Sequence, residues 1–469
     1  MAETIAQLLH NGQQALEGGR LDEAVAAFVA VQAHSPHDVT VAIALANVYR
    51  LQGDMAKTRE TLEQAHAGDG WADAVTAFAL GAALLESGAP REAVTCFQRV
   101  VAQRGGDPAA LNALAGARRA AGEPAAAWPQ IQRAIAAAPD TPAFALTAAQ
   151  VRHDLGDPDG ALHWVARAEA LRPDHAPTQL QRAYSTLLRG ASHTGWSAFE
   201  SRPLPVPNTS ARAWHGEPLN GTSILVTAEQ GIGDQFQFVR FVHRLAAHQP
   251  SRVVVECHAD VVSLFRGNDI DAVPRGAPPV TDWHVPLMSL PYRLACDTEV
   301  DGDRVPYLRA LAPADGVLAP RTRTRRLGLV WAGNPAFTGR ATRDLDPALL
   351  PQIIDTPDVE WIALQHGQAG DVTFDGLSRI ALPHDWAGTA ALLATLDGLV
   401  TTDTGIAHLA GAMGVPTWVL LQHVPDWRWG LHGTQCAWYP ATTLIRQPRA
   451  RDWQSVVNAL GVALSNTSA

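Results

Sequence analysis

Apolar and polar positions follow two different periods along this chain, and the change falls near residue 202. In the first part, glycines separate helix-like segments and recur every 34 or 35 residues, at Gly19, Gly53, Gly88, Gly122, Gly156 and Gly190. A regular period of this length predicts stacked helix pairs, because each pair can bury its apolar face only against its neighbours.

Each glycine is followed by a small and then a large residue at fixed distances. The small residues stand five positions on, at Ala24, Thr58, Ala93, Ala127, Ala161 and Gly195, and the large ones four further, at Phe28, Leu62, Phe97, Ile131, Val165 and Phe199. Small residues let paired helices approach, large ones fill the gap, and Pro36, Pro139 and Pro173 end their repeats.

This pattern resembles the tetratricopeptide repeat (TPR). The resemblance implies five repeats and a divergent sixth helix pair over residues 4–202. It also implies a concave face that holds an extended peptide or a partner protein. Two alternatives stay open for that face: covering the second half of the chain, or forming a homodimer.

After residue 202 the helical period stops. Residues 203–221 are rich in proline, glycine and polar residues, which predicts a linker. Strands such as SILVTAE, RVVVEC, RLGLVWAG and VEWIALQ then alternate with helical segments, which indicates parallel sheets covered by helices. A boundary in TRTRR divides this part into domains at 222–322 and 323–469, the second closed by a helix near 453–464.

The predicted protein is therefore α + α/β, a TPR solenoid followed by two Rossmann-like domains facing a cleft. That pairing of domains is the GT-B arrangement of many glycosyltransferases.

Composition narrows the class of protein. At 469 residues the chain is long enough for two or three domains, and its net charge of -10 argues against broad binding of nucleic acid or anionic membranes. Four scattered cysteines favour buried thiols over disulfides or a zinc site. The chain shows neither a signal peptide nor a membrane-spanning apolar run, so we expect a cytoplasmic protein.

The first candidate site is the segment 228–241, where a strand end leads into a helix through GIGD. Its glycines allow backbone to lie close to a ligand, and Asp234 is a candidate catalytic or substrate-orienting carboxylate, with simple N-capping as the alternative. The third glycine of a dinucleotide fingerprint is missing, so NAD binding is not expected. Candidate substrate contacts here are Glu229, Gln230, Gly233 and Gln235.

The second candidate site, 328–346, follows another strand. Asn334 lies at the strand end, and Arg340 and Arg343 follow in the loop. A guanidinium matches phosphate oxygens, so these arginines are candidate donor-diphosphate ligands; solvated surface charges are the alternative.

The third candidate site is TTDTGIAHLAGAMGVPTWVLL, which predicts strand, turn, helix and strand. Asp403, Thr404 and Gly405 begin the helix, whose free N–H groups form an anion site, and His408 lies one turn above Thr404. We expect His408 to contact the ligand. The alternative is a histidine buried in the core and bonded to a carbonyl.

Two further features are less specific. Trp427 and Arg428, in VPDWRWG, are candidate substrate contacts, although packing under the final helix would also explain the tryptophan. Two Asp-x-Asp triplets, at 301–303 and 344–346, do not closely follow convincing strands, so no metal site is predicted.

Two of these segments resemble the signatures of family 9 glycosyltransferases, the heptosyltransferases: GIGD after an early strand and DTGIAHLAGAMGVP near the end. The segments TAEQGIGD, VWAGNP, VPDWRW and AWYP also resemble bacterial TPR-containing relatives, some of them similar to flagellin glycosyltransferases. The resemblance implies that Asp234 is the general base, and that Thr404, Gly405 and His408, with Asn334 and Arg343, hold the donor phosphate. Departures from the family pattern are Phe337, Gly339, Ala341 and Gln422.

The sequence thus predicts an inverting, metal-independent glycosyltransferase with a nucleotide-sugar donor, no other cofactor and a protein acceptor bound by the TPR region. In this interpretation Asp403 belongs to the donor-binding residues: it shapes the turn and orients the helix start, while the chemistry falls to Asp234. Two alternatives stay open. The acceptor could be a lipid-linked sugar or an oligosaccharide, or the chain could be a TPR scaffold whose transferase domain is not catalytic.

Overall fold

The computed structural model describes residues 4–36, 38–68, 74–296, 305–312, 318–334, 340–367 and 372–466. The chain divides into two compact units, Met1–Thr178 and Gln179–Ala469.

Helix pairs build the first unit. In chain order they are α1 (Ile5–Glu17), α2 (Leu21–His34), α3 (Val39–Leu51), α4 (Met55–Gly68), α5 (Ala74–Glu86), α6 (Pro90–Gln103), α7 (Pro108–Ala120), α8 (Pro124–Ala137), α9 (Pro142–Asp154) and α10 (Pro158–Leu171). The second helix of a pair also packs against the first helix of the next pair, as α2 does on α3 and α6 on α7.

The glycine period marks the turns of these pairs, as the sequence predicts. Gly19, Gly53, Gly88, Gly122 and Gly156 have φ between +70° and +79°, a region that suits glycine. In two pairs, the large residue of the second helix packs against a glycine of the first. A Cβ on Gly12 would lie 2.8 Å from the Phe28 ring, and one on Gly81 would lie 2.9 Å from Phe97. The N-terminal helical TPR solenoid is confirmed.

The sixth helix pair consists of α11 (Ala176–Arg189) and α12 (His193–Phe199). Its second helix has seven residues, where the second helices of the other pairs have 14. Leu187, Trp196 and Phe199 are buried in the hydrophobic core of the second unit. This pair is therefore part of the α/β core, although its sequence follows the repeat.

The first parallel sheet contains β1 (Arg212–Ala213), β2 (Ser223–Thr227), β3 (Arg252–Cys257), β4 (Ala272–Pro274) and β5 (Trp283–Pro286), in the order β1-β5-β2-β3-β4. β1 lies in the segment predicted as a linker. Trp214 and Leu219 from the same segment are also buried in the core. The segment contributes to the sheet because β1 pairs with β5, a strand about 70 residues later, which no local pattern reveals.

The second parallel sheet contains β6 (Arg325–Val330), β7 (Val359–Ala363), β8 (Leu377–Arg379), β9 (Gly398–Thr402), β10 (Thr417–Leu421) and β11 (Thr442–Arg446), in the order β11-β10-β9-β6-β7-β8. The strand order changes direction between β6 and β9, and in the first sheet between β2 and β5. Open parallel sheets bind ligands at the carboxyl ends of strands flanking such a point.

Short helices connect the strands. They are α13 (Ile232–Phe238), α14 (Val262–Arg266), α15 (Leu290–Arg293), α16 (Arg340–Arg343), α17 (Leu350–Ile354), α18 (Trp386–Leu393), α19 (Gly405–Met413) and α20 (Trp453–Asn466). The amphipathic helix predicted after GIGD is instead α13 followed by a 3₁₀ segment, Val239–His248. Among the described residues, no helix combines the length and apolar character needed to cross a membrane.

The two sheets share one hydrophobic core. Val226 and Val285 of the first sheet belong to the same buried cluster as Val419 and Leu421 of the second. The second sheet packs its other face against α17 and α20 in a separate cluster. The C-terminal region is thus a pair of parallel sheets joined through a continuous apolar interior.

Candidate functional site

The GIGD segment and the DTG segment touch each other. α13 begins just after β2 and α19 just after β9, so each helix starts where its sheet changes direction. A Cβ on Gly233 would lie 2.8 Å from Cδ2 of His408 and 3.3 Å from the Cα of Gly405. Two motifs about 170 residues apart in sequence are therefore in direct contact, and Gly233 leaves no space there for a side chain.

Asp234 makes contacts in both sheets. Its Oδ2 accepts a hydrogen bond from the Gly231 backbone N–H at 2.8 Å, and its Oδ1 accepts one from Nη2 of Arg428 at 2.6 Å. Burial raises the pKa of Asp234, and the Arg428 guanidinium opposes that rise. The carboxylate thus caps α13, as the simpler sequence interpretation proposed, and also pairs with a cation from the second sheet.

Arg428 is the centre of this network. Its Nε donates to Oε1 of Gln237 at 2.9 Å, and its Nη1 donates to Oδ1 of Asp426 at 2.8 Å. The guanidinium carbon lies 4.2 Å from the ring centre of Trp427. Burial lowers the pKa of Arg428, but Asp426 and Asp234 together raise it above its usual value. The side chain is charged, and its hydrogen bonds and the Trp427 ring hold it in place.

His408, on α19, is held by two aromatic side chains. Its Nδ1 is 3.0 Å from the Tyr439 hydroxyl, and its ring is stacked on Trp429 with 5.1 Å between centres. Burial lowers the pKa of His408 to about 3, so the imidazole is neutral near pH 7. The Tyr439 ring in turn packs against Gly411, where a Cβ would collide with it. His408 is buried and bonded to a phenol, close to the core alternative considered for it.

The start of α19 carries the other predicted donor ligands. Thr404 is the N-cap residue, and its Oγ1 lies 2.9 Å from Oγ1 of Thr401. Burial and the neighbouring Asp426 raise the pKa of Asp403 to about 6, while Arg343 acts in the opposite direction. Asp403, Thr404 and Gly405 all lie at the carboxyl end of β9, where the sequence analysis placed them.

The loop after β6 approaches the same edge of the sheet. The Gln365 amide oxygen accepts hydrogen bonds from the backbone N–H groups of Trp331 and Ala332 at 3.0 and 2.9 Å. Asn334 is exposed, and a side chain at Gly333 would collide with the guanidinium of Arg343.

Part of this loop lies outside the described residues. Arg340 begins α16, but its side chain, like Phe337, Gly339 and Ala341, cannot be placed from them.

The candidates around Asp234 have different surroundings. Glu229 is buried, and its Oε1 accepts hydrogen bonds from Arg202 Nη2 at 2.6 Å and from the Met288 N–H at 3.0 Å. Gln235 is also buried and accepts a hydrogen bond from the His258 N–H at 3.1 Å. Gln230 is exposed with φ of +55°. Of these three, only Gln230 presents its side chain to solvent.

Trp427 lies in an aromatic cluster. Its ring centre is 5.4 Å from Trp196, 6.0 Å from Phe199 and 6.3 Å from Trp438. Packing accounts for its position, as the alternative proposed, but against α12 instead of the final helix. The Arg428 guanidinium lies against the Trp427 ring of this cluster.

Several residues of the network were missed at the sequence level. Asp426 and Gln237 hold Arg428, and Tyr439 holds His408. Arg240 donates to the Tyr307 hydroxyl and to the Trp438 carbonyl, both at 3.0 Å. Two local signals could have linked missed residues to predicted ones: Gln237 lies three residues after Asp234 on one helix, and Asp426 lies two residues before Arg428.

The carboxylates of the Asp-x-Asp triplet at 344–346 are not part of a metal site in the described residues. Among the described residues, no group of three or more His, Cys, Asp and Glu side chains is arranged to hold a metal ion. The triplet at 301–303 lies outside them. In the other triplet, Asp344 accepts the Gly333 N–H and Asp346 accepts the Ala348 N–H, each at 2.9 Å. Both carboxylates therefore act as local backbone acceptors.

The comparisons with known proteins concern the repeats above all. The family model described as tetratricopeptide repeat matches residues 10–74 and 78–140. Protein FlbA of Caulobacter vibrioides is 25% identical over 348 residues, which is 63% of this chain and 56% of that protein. The chain thus spans just over half the length of this curated relative.

Among solved structures, MamA from residue 41 onward of Desulfovibrio magneticus RS-1 is 16% identical, covering 37% of this chain and 99% of its own, with a TM-score of 0.34. YrrB, described as a TPR protein with an unusual peptide-binding site, is 18% identical over 37% of this chain and 90% of its own, with a TM-score of 0.32. The N-terminal region of this chain contains tetratricopeptide repeats.

Proposed function

We propose that this chain is a cytoplasmic glycosyltransferase that moves a sugar from a nucleotide-activated donor to a protein acceptor bound by its TPR region. One observation carries the proposal: the points where the two strand orders change direction deliver Asp234 and the start of α19 to the same place. The meeting of two parallel sheets at these points supports the proposed GT-B arrangement, in which two Rossmann-like domains face a cleft.

The second sheet supplies the donor side. Free N–H groups at the start of α19 and the helix dipole favour a phosphate group. Thr404 and Gly405 lie at that helix start, and Arg343 lies against the neighbouring loop at Gly333. Together with Asn334 and Arg340, these residues would stabilise the negative charge that develops on the departing nucleotide phosphate.

Asp234 supplies the acceptor side. The carboxylate takes the proton of the acceptor hydroxyl while the hydroxyl oxygen forms a bond to the anomeric carbon. The bond from that carbon to the donor phosphate oxygen breaks, and the nucleotide leaves with the electron pair. A single displacement of this kind inverts the anomeric configuration. The reaction needs no redox cofactor.

The repeats supply the partner. TPR domains commonly bind peptides or proteins, and this chain has them over the residues that the family model matches. A protein acceptor, with flagellin as the candidate from the family resemblance, therefore fits better than a lipid-linked sugar or an oligosaccharide.

A nucleotide-sugar panel read by thermal shift tests the donor side. We expect one nucleotide sugar to raise the melting temperature of the wild type and of Asp234→Asn, but not of Arg343→Gln. Arg449→Gln is the matched control, since that side chain is 85% exposed and its ion pair, with Asp452 at 3.2 Å, lies on the surface. Stabilisation that survives both Arg343→Gln and His408→Ala unchanged would contradict the assigned donor site.

Intact-mass measurement tests the acceptor side. Co-expressed flagellin or another candidate protein should gain the mass of one or more sugars with the wild type and none with Asp234→Asn. Sugar adducts on a lipid-linked or oligosaccharide acceptor, with none on protein, would instead favour the alternative acceptor.

A non-catalytic scaffold is the second candidate function. The contact of Gly233 with Gly405 and His408, and the pairing of Asp234 with Arg428, favour it, because both place protein where substrates would meet. Failure of every nucleotide sugar to shift the melting temperature, together with retained binding of a protein partner, would favour this function.

A further inference from the structure

Asp234 and Arg428 form a short ion pair that links the region of the first sheet to that of the second. Asp234 belongs to α13 of the first sheet, and Arg428 follows β10 of the second, 194 residues later. We propose that Arg428 is a positioning residue, which keeps the Asp234 carboxylate ionised and oriented. The inference rests on the proposed function, in which Asp234 accepts the proton of the acceptor.

The orientation of Arg428 is set independently of Asp234. Gln237 holds Nε, Asp426 holds Nη1, and the Trp427 ring lies against the flat face of the guanidinium. Only Nη2 is directed at Asp234. A planar fork fixed at two of its three nitrogens presents the third in one direction. Arg428 therefore determines where Oδ1 of Asp234 lies.

The second oxygen of Asp234 is fixed from the other side. Oδ2 accepts the Gly231 N–H at 2.8 Å, within the same helix turn. A carboxylate oxygen has two lone pairs, so each oxygen keeps one for a further hydrogen bond. The arrangement immobilises the carboxylate and still leaves it able to accept the proton of a hydroxyl group.

The charges around Asp234 explain why a cation is needed there. Asp426 faces it from the turn after β10, Asp403 lies at the end of β9, and α19 contributes His408, which is neutral. α11 contributes the Tyr184 phenol, which lies within the electrostatic influence of Asp234 and Arg428. The side chain of Asp234 is 15% exposed. Burial and the neighbouring Asp426 carboxylate favour its protonated form and raise its pKa, whereas the Arg428 guanidinium and, to a smaller extent, the Gly231 N–H oppose that rise.

The consequence is chemical. A protonated Asp234 could not remove a proton from an acceptor hydroxyl. Loss of Arg428 would therefore move the acid limit of activity to higher pH, besides loosening the carboxylate. A purely structural arginine would lower stability without moving that limit.

Carbon-13 NMR of labelled aspartate carboxyl groups tests the ionisation of Asp234 without any substrate. The Asp234 resonance is assigned by its loss in Asp234→Asn. In Arg428→Gln, we expect its titration midpoint to rise by about one to three pH units, the usual effect of an opposite charge at this distance. Asp426→Asn should move the midpoint in the other direction, because it removes a like charge.

Arg240→Gln is the matched control. Arg240 is another buried arginine that joins the two halves of this unit. It lies in the 3₁₀ segment after α13 and donates to the Trp438 carbonyl, between β10 and β11, at 3.0 Å. Among the described residues, no carboxylate lies within ion-pair distance of it. Arg240→Gln should lower stability and leave the Asp234 midpoint where it is in the wild type.

The pH dependence of kcat/KM provides the second readout. Arg428→Gln should move its acid limb upward with the NMR midpoint. Arg428→Lys restores the charge but not the fork, so its acid limb should return toward the wild type while kcat stays reduced.

An unchanged Asp234 midpoint in Arg428→Gln, or in Asp426→Asn should Arg428→Gln fail to fold, overturns the inference. A shifted midpoint in a protein that transfers no sugar supports the electrostatic role of Arg428 and refutes the proposed function.

Discussion

The buried ion pair between Arg202 and Glu229 makes a quantitative prediction. Arg202 follows α12 and is 1% exposed, whereas Glu229 follows β2 and is 3% exposed. Two hydrogen bonds join them, at 2.6 and 3.2 Å, and Glu229 also accepts the Met288 N–H. The pair therefore attaches the sixth helix pair to the loop that carries Asp234.

Glu229→Gln keeps the shape of the side chain but removes its charge. Breaking a buried pair usually costs about 3–5 kcal/mol, because the remaining charge stays buried without compensation. Here Arg202 keeps Glu200 at 2.9 Å, and the amide oxygen can still accept one hydrogen bond. We therefore expect the free energy of unfolding of the second unit to fall by about 3 kcal/mol, the lower end of that range.

Urea unfolding followed by tryptophan fluorescence measures this change. Most of the 14 tryptophans lie after residue 179, so the signal reports mainly on the second unit. Glu200→Gln is the control: Glu200 contacts both Arg202 and Arg293 at 2.9 Å but is 19% exposed, against 3% for Glu229, so its replacement should cost less than that of Glu229.

A second control replaces both charges. Arg202→Met with Glu229→Leu should recover most of the stability, since an apolar pair of similar volume leaves no buried charge. A loss in Glu229→Gln no larger than that in Glu200→Gln would refute the reasoning.

Three further predictions concern the site and its supports. Gly233→Ala should destabilise the second unit by about 1–3 kcal/mol in urea unfolding, because its Cβ would meet His408 at 2.8 Å. His408→Gln should reduce the loss of stability on acidification. The folded pKa of His408, about 3, lies below the ordinary 6.5, so protonation of the unfolded chain costs up to about 1.4 kcal/mol per pH unit as pH falls from 6.5 toward 3. A fragment of residues 175–469 should fold, whereas one of residues 222–469 should not, because the latter lacks Trp196, Phe199 and Arg202 of its core.

Each of these has its own check. Gly461→Ala, where a Cβ meets nothing within 4 Å, should be neutral or stabilising, and an equal effect at Gly233 would contradict the contact. Equal slopes of unfolding free energy against pH for wild type and His408→Gln would contradict a neutral buried histidine. A cooperative thermal transition in the 222–469 fragment would show that the sixth helix pair is dispensable for the α/β core.

The repeats were predictable because their information is local. A glycine turn, a small residue and a large one occur within ten residues, and each contact they make lies within one or two helices. Several strands of the second unit, unlike β1, were predictable for the same reason. RVVVEC, for instance, coincides with β3.

The partners of the site residues were not predictable in this way. Arg202 and Glu229 are 27 residues apart and Asp234 and Arg428 are 194 apart, so only the folded topology shows that they are paired. Arg202 in particular stands at the end of the helical period and gave no sign of reaching a loop of the first sheet. Sequence patterns located the strand ends where function was expected, but not which charges neutralise each other there.

Because the sixth helix pair belongs to the α/β core, the number of repeats that precede it can change while that core keeps its own composition. Neighbouring pairs pack on each other, so one whole period can be removed or duplicated and the flanking pairs can stack in the same way. Deleting 54–88, for example, would join Gly53 to Ala89 and restore the same turn in a shorter array. Evolution or a protein engineer could thus change the length of the repeat array, and with it the length of polypeptide that the proposed partner-binding face accommodates, while the charge network around Arg428 stays the same.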